Sequence, residues 1–127
     1  MSRVDWNRLD EVWQKIPDIE AAWAFGSSQS GVVREDADFD IAVLFRRQPS
    51  LDLLTELRAL LQSAIRIDEI DLVTLNNASP ILRFEAICGR RVFCRDKIRC
   101  AGYVSLWARE YEDEITMLEK YMQLRKQ

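Results

Sequence analysis

Near the start of the chain, apolar residues recur at three-and-four spacing: Trp6, Leu9, Val12 or Trp13, and Ile16. That period predicts an amphipathic helix, stopped before Pro17, whose apolar stripe packs on a sheet. The pattern then changes. Ile19 to Phe25 is rich in apolar residues and ends at Gly26, as a buried strand would. Residues 27–37 (SSQSGVVREDA) are small, polar or charged and predict a turn, with one helical turn near Ser28 to Val33. Asp38 to Phe45 reads as a second strand, broken by Arg46, Arg47, Gln48 and Pro49. Ser50 caps a helix in which Leu53, Leu54, Leu57, Leu60, Leu61 and Ile65 hold the helical period. Ile67 to Leu75 predicts a third strand, with Asp71, Val73 and Leu75 on one face and Ile70, Leu72 and Thr74 on the other. Ser79 and Pro80 open a further helix carrying Ile81, Leu82, Phe84 and Ile87, with Gly89 as its stop. Val92-Phe93-Cys94 predicts a last short strand.

From about Lys97 to Arg125 nothing breaks a helix after Gly102, and Val104, Ala108, Tyr111, Ile115, Leu118 and Met122 fall at alternating four and three. A helix of that length runs on the order of 40 Å, longer than a small domain is wide. It either docks on a partner or folds wholly against its own sheet. Its length and the aromatic stripe of Trp107, Tyr111 and Tyr121 favour the partner. Together the elements predict one α/β (α+β) domain over residues 1–127. A short mixed sheet is flanked by helices, and residues 97–127 form a long C-terminal helix available to a partner.

Composition narrows the class. A content of 48% hydrophobic and 31% charged residues is that of a soluble globular domain, and no apolar run approaches membrane-span length. The opening Met1-Ser2-Arg3-Val4-Asp5 lacks an apolar signal core, so the chain reads as cytoplasmic. Eighteen basic against twenty-one acidic residues give a net charge of −3, which argues against direct, nonspecific nucleic-acid binding. Cys88, Cys94 and Cys100 are odd in number and unaccompanied by histidine, so neither a closed disulfide framework nor a usual zinc site follows. The absence of histidine also excludes histidine-dependent hydrolase triads. Carboxylates must carry any chemistry.

The sharpest candidates are Gly26-Ser27, a ten-residue interval, and Asp38-Phe39-Asp40. Side chains alternate along a strand, so Asp38 and Asp40 share one side while Phe39, Ile41 and Val43 point into the core. Like charges that close raise each other's pKa and are tolerated where a cation separates them; paired carboxylates facing phosphate oxygens suit magnesium. Asp71 adds a third acid, favoured over Asp68 because Leu72 and Val73 follow it directly. Gly26 allows close approach of backbone to a triphosphate, and Ser27 supplies hydrogen-bond donors. Magnesium, as two ions, would bridge Asp38, Asp40 and Asp71 to those phosphates. Asp71 would complete the ion that activates the nucleophile and accept its proton.

This spacing resembles the nucleotidyltransferase superfamily related to DNA polymerase beta. The short length, the segment from Ser79 to Asp96 and the long tail helix resemble more narrowly the minimal nucleotidyltransferase antitoxins of HEPN/MNT toxin–antitoxin pairs. That resemblance implies a polymerase-beta-like fold and a magnesium-dependent transfer of AMP from ATP to a tyrosine of a HEPN ribonuclease toxin, which disables it. Relatives often carry basic residues in the turn and a serine before the first acid; here Ser28, Ser30 and Ala37 stand instead, while Gly31 matches the usual second glycine. Arg34, Arg90 and Arg91 are read as solvated charges before they are read as replacements. Two other functions stay open: an antitoxin that masks its toxin by binding alone, and a transferase for a small molecule. The latter is disfavoured because so small a chain leaves little wall for a dedicated pocket.

Overall fold

The computed structural model describes residues 2–126; Met1 and Gln127, the outer ends of the expected domain, lie outside the described residues. Four strands form the main sheet: β2 (Ile19–Ala24), β4 (Phe39–Phe45), β5 (Ile70–Thr74) and β6 (Arg90–Cys94). Their order is β5-β4-β2-β6, with β4 antiparallel to β2, β2 antiparallel to β6, and β4 parallel to β5. The parallel step needs a crossover, which α2 (Leu51–Ile65) supplies. A small separate ribbon, β1 (Ser2–Arg3) against β3 (Val32–Val33), closes over the start of the chain. It occupies the segment expected to carry a helical turn; the helical turn comes earlier, as a 3₁₀ turn over Gly26–Ser30.

Strand alternation sorts the apolar residues onto two faces. Ile19, Ala22, Ala24, Phe39, Ile41, Val43 and Ile70 join one core with α1 (Trp6–Lys15) and α2. Ala21, Trp23, Phe25, Ala42, Leu44 and Leu75 join the other with α3 (Pro80–Ile87) and α4 (Lys97–Lys126). The caps form as the sequence predicts: Ser50 Oγ accepts from the Leu53 N–H and Ser79 Oγ from the Leu82 N–H. Gly89 allows the turn between α3 and β6 to lie against β2, since a Cβ there would stand 2.4 Å from the Ala24 carbonyl oxygen.

The α4 helix, at 30 residues, spans ~45 Å. Its first half belongs to the domain. Trp107 is buried against Trp23, and Tyr111 stacks on Phe84 with ring centroids 3.9 Å apart and planes 7° from parallel. The aromatic stripe is therefore mostly satisfied within the chain, and of its three members Tyr121 alone is exposed. Residues 116–126 are all exposed, among them Met117, Leu118, Met122 and Leu124. At the base of α4, Arg99 and Arg46 both reach the buried Glu20 carboxylate, at 3.1 and 2.8 Å, and fix the helix to the sheet.

Candidate active site

The acids gather at one end of the sheet because of its register. Parallel pairing of β4 with β5 sets Asp40 beside Asp71, with Phe39 beside Ile70 on the core-facing side. Asp38 lies just before β4 and is exposed; Asp40 is half-buried and Asp71 exposed. Asp68 precedes β5 and is not part of this pairing. The Asp40 carboxyl is pushed above its ordinary value, first by burial and then by the charges of Asp71 and Asp38, with the hydrogen bond that its protonated form donates to Asp71 and the charge of Glu85 adding to it. Three carboxylates thus act on Asp40.

The turn before β4 is built around them. Gly26 has φ +59°, a left-handed conformation, and a Cβ there would come within 3.1 Å of Asp40 Oδ2. Its lack of a side chain is required twice, by backbone and by space. Ser27 is exposed, and its carbonyl accepts from Ser30 Oγ at 3.1 Å. Ser28 is buried: its Oγ accepts from the Asp40 N–H at 2.8 Å and donates to the Asp38 carbonyl at 3.4 Å. The hydroxyl straps the turn to the backbone of both acids. Gly31 closes the turn at φ +81°, with the Trp6 ring 3.1 Å from where a Cβ would stand. Arg90 lays its guanidinium on that ring, 4.2 Å from the centroid.

Oxygen-only donors of this kind fit a hard cation such as magnesium. Among the described residues no group of three or more His, Cys, Asp or Glu side chains could hold a metal by itself. Magnesium is ordinarily held by one or two carboxylates together with substrate phosphates and water, so the Asp40–Asp71 pair with Asp38 beside it fits that role without a closed protein cage.

A cleft of about 400 Å³ opens beside Gly26. Ile81, Phe84 and Glu85 line it from α3, Cys88 from the cap of that helix and Tyr111 from α4. Sequence reasoning missed Glu85 and this cleft. The signal was present: positions 81, 84, 85 and 88 fall at i, i+3, i+4 and i+7, one helical stripe with a single acid in it. A hollow of similar size between α1 and α2 takes no part in the acidic cluster.

The family described as Polymerase beta, Nucleotidyltransferase matches residues 7–98, which include the turn and all three aspartates. The chain belongs to this nucleotidyltransferase family. No curated protein sequence matches it. Among solved structures, a variant of the MntA–HpeT toxin–antitoxin superposes with TM-score 0.80 at 20% identity, covering 98% of this chain and 100% of that one. A toxin–antitoxin with AMP-PNP gives 0.78 at 22%, with the same coverage. A tri-AMPylated Shewanella oneidensis HEPN toxin in complex with MNT antitoxin gives 0.72 at 21%, covering 96% of each chain. These likenesses extend the nucleotidyltransferase fold beyond residue 98, into α4.

Proposed function

We propose that this nucleotidyltransferase is the antitoxin of a HEPN/MNT pair, transferring AMP from ATP to a tyrosine of its HEPN toxin and so neutralising it. The observation that carries this reading is the in-register pairing of Asp40 with Asp71, flanked by Asp38, directly against the side-chain-free Gly26. In the proposed reaction the tyrosine oxygen bonds to the α-phosphorus of ATP, the bond to pyrophosphate breaks, and the hydroxyl proton passes to Asp71. Asp38 and Asp40 would hold magnesium with Asp71. When bound, the metal supplies charge neutralisation on the phosphates and lowers the pKa of the attacking hydroxyl. Gly26 leaves the space in which phosphate oxygens approach the backbone, and Ser27, exposed in the turn, offers its hydroxyl and N–H to them. Ser28 holds the acids in register with that turn. The Shewanella oneidensis complex, whose HEPN toxin is tri-AMPylated, and the AMP-PNP complex support the choice of substrate and acceptor.

The test is incubation of the chain with labelled ATP, magnesium and the HEPN protein encoded beside it, followed by adduct mapping by mass spectrometry. AMP on a toxin tyrosine is the expected result. A stable complex that carries no adduct would replace transfer by masking.

A further inference from the structure

The acidic cluster is closed on one flank and open on the other. In the sheet order β5-β4-β2-β6 the Gly26 turn follows β2 and borders Asp40 from that side, while Asp71 borders it from the other, on the edge strand β5. This order gives the chemistry a direction. A displacement at phosphorus runs in line, with the attacking oxygen opposite the departing one. With the leaving pyrophosphate on the turn, the nucleophile has to arrive from the side of Asp71, past the outer edge of β5.

That edge carries unpaired backbone. The Glu69 carbonyl accepts from the Phe39 N–H at 2.8 Å, and the Leu75 N–H donates to the Val43 carbonyl at 2.9 Å. Backbone groups alternate sides along a strand, so residues 69, 71, 73 and 75 turn theirs towards β4, whereas Ile70, Leu72 and Thr74 turn theirs outward. Arg58, on α2, donates to the Ile70 carbonyl. Among the described residues nothing bonds to the outward N–H and C=O of Leu72 and Thr74, and both residues are half-buried rather than covered. The opposite edge, β6, lies beyond the turn and is interrupted by a register shift against β2 between Ala22 and Trp23.

We infer that the β5 edge receives the acceptor as an extended peptide segment, which adds a fifth strand to the four-stranded sheet through Leu72 and Thr74 and sets its tyrosine beside Asp71. The inference rests on the nucleotidyl-transfer reading and adds to it how the acceptor is presented. Side chains opposite each other on neighbouring strands stand ~5 Å apart on one face, so a tyrosine opposite Asp71 shares the face of Asp71 and Asp40. Its ring reaches further from the sheet than an aspartate does, which puts the hydroxyl above the carboxylates, where a phosphate held by them would sit. Main-chain hydrogen bonds tolerate many sequences; the side chain opposite Asp71 supplies the selection.

Amide hydrogen exchange followed by NMR, on the wild-type chain alone and with the HEPN protein encoded beside it, reads the edge directly. The Leu72 and Thr74 amides are expected to exchange at least tenfold more slowly in the complex, and unchanged exchange at both would overturn the edge docking. Thr74→Pro removes one outward donor and no bond to β4, a place where a strand tolerates proline. Its kcat/KM for the HEPN acceptor should fall roughly tenfold, the loss of one hydrogen bond, with the affinity for a non-hydrolysable ATP analogue unchanged. Thr74→Val, which keeps the N–H and the size, should act as wild type. A Thr74→Pro chain that binds the analogue and modifies the acceptor at the wild-type rate would also overturn the inference; if that variant loses the analogue as well, the exchange result alone decides. A wild-type mixture with no adduct on the acceptor would instead overturn the transfer reading.

Discussion

Asp40 is the residue at which the electrostatics of the site are concentrated. Its carboxyl is held above the ordinary 3.8 by burial first, then by Asp71 and Asp38. An acid whose pKa is raised in the fold binds its proton more tightly there than in the unfolded chain. Ionisation therefore weakens the fold as pH rises from 3.8 through the raised value, and the penalty is fully present above that window. Asp40→Asn removes it. The variant is expected to be more stable than wild type at pH 7, by the ~0.5–2 kcal/mol common for a single stabilising change at a functional site. The gap should close near pH 3, where the wild-type side chain is also neutral. Thermal melts at the two pH values check this, and magnesium should raise the wild-type Tm more than that of the variant. A variant less stable than wild type at pH 7 would remove the repulsion argument.

At the scale of elements, most of the fold was legible because period and punctuation agreed. Pro17, Pro49, Ser50, the Ser79–Pro80 pair and Gly89 each fall within two residues of an element boundary. The acidic strand was legible for the same reason: Phe39 to Phe45 is too apolar for an exposed edge, and β4 lies inside the sheet. What local pattern lacked was tertiary context. The β1–β3 ribbon has only two residues in each strand, too few for a period, and exists because Val33 is buried in the core while Val32 pairs with Arg3. Ser28 read as an ordinary turn serine, since nothing in sequence tells that its hydroxyl will face the Asp40 amide. Trp107 looked unsatisfied because its partner, Trp23, is 84 positions away, on β2. Gly89 shows the converse, a stop signal with a second duty. Gly89→Ala would push a methyl group into the Ala24 carbonyl and within 3.0 Å of Phe25 Cα, and backbone cannot yield as a flexible side chain can. The expected cost is ~1–3 kcal/mol, read as a lower denaturation midpoint with an unchanged m-value. Nucleotide affinity should fall as well, because Phe25 leads into Gly26. Full stability in this variant would mean that the α3–β6 turn is not held against β2.

For the whole molecule, the acidic cluster and the exposed apolar end of α4 sit at different places, and this separation makes transfer and masking, the two forms of the proposed function, distinguishable. The acids occupy the end of the sheet, whereas the exposed apolar residues Leu118, Tyr121, Met122 and Leu124 occupy the far part of α4. Deleting residues 116–127 removes no buried side chain among the described residues, so the Tm should move by no more than surface changes usually cause, about 2 °C. Affinity for the proposed HEPN partner should fall on the order of 1,000-fold, the equivalent of losing two interface hot spots of ~2 kcal/mol each. The double variant Asp38→Asn, Asp40→Asn does the opposite: it leaves α4 intact and should bind the partner as wild type does, yet leave it unmodified. If transfer neutralises the toxin, cells co-expressing toxin and double variant stop growing although the complex forms. If binding alone neutralises it, those cells grow and the truncated chain fails to protect. Growth protection by the double variant, with wild-type affinity confirmed by calorimetry, would assign the antitoxin activity to α4 and leave the aspartates without a part in it.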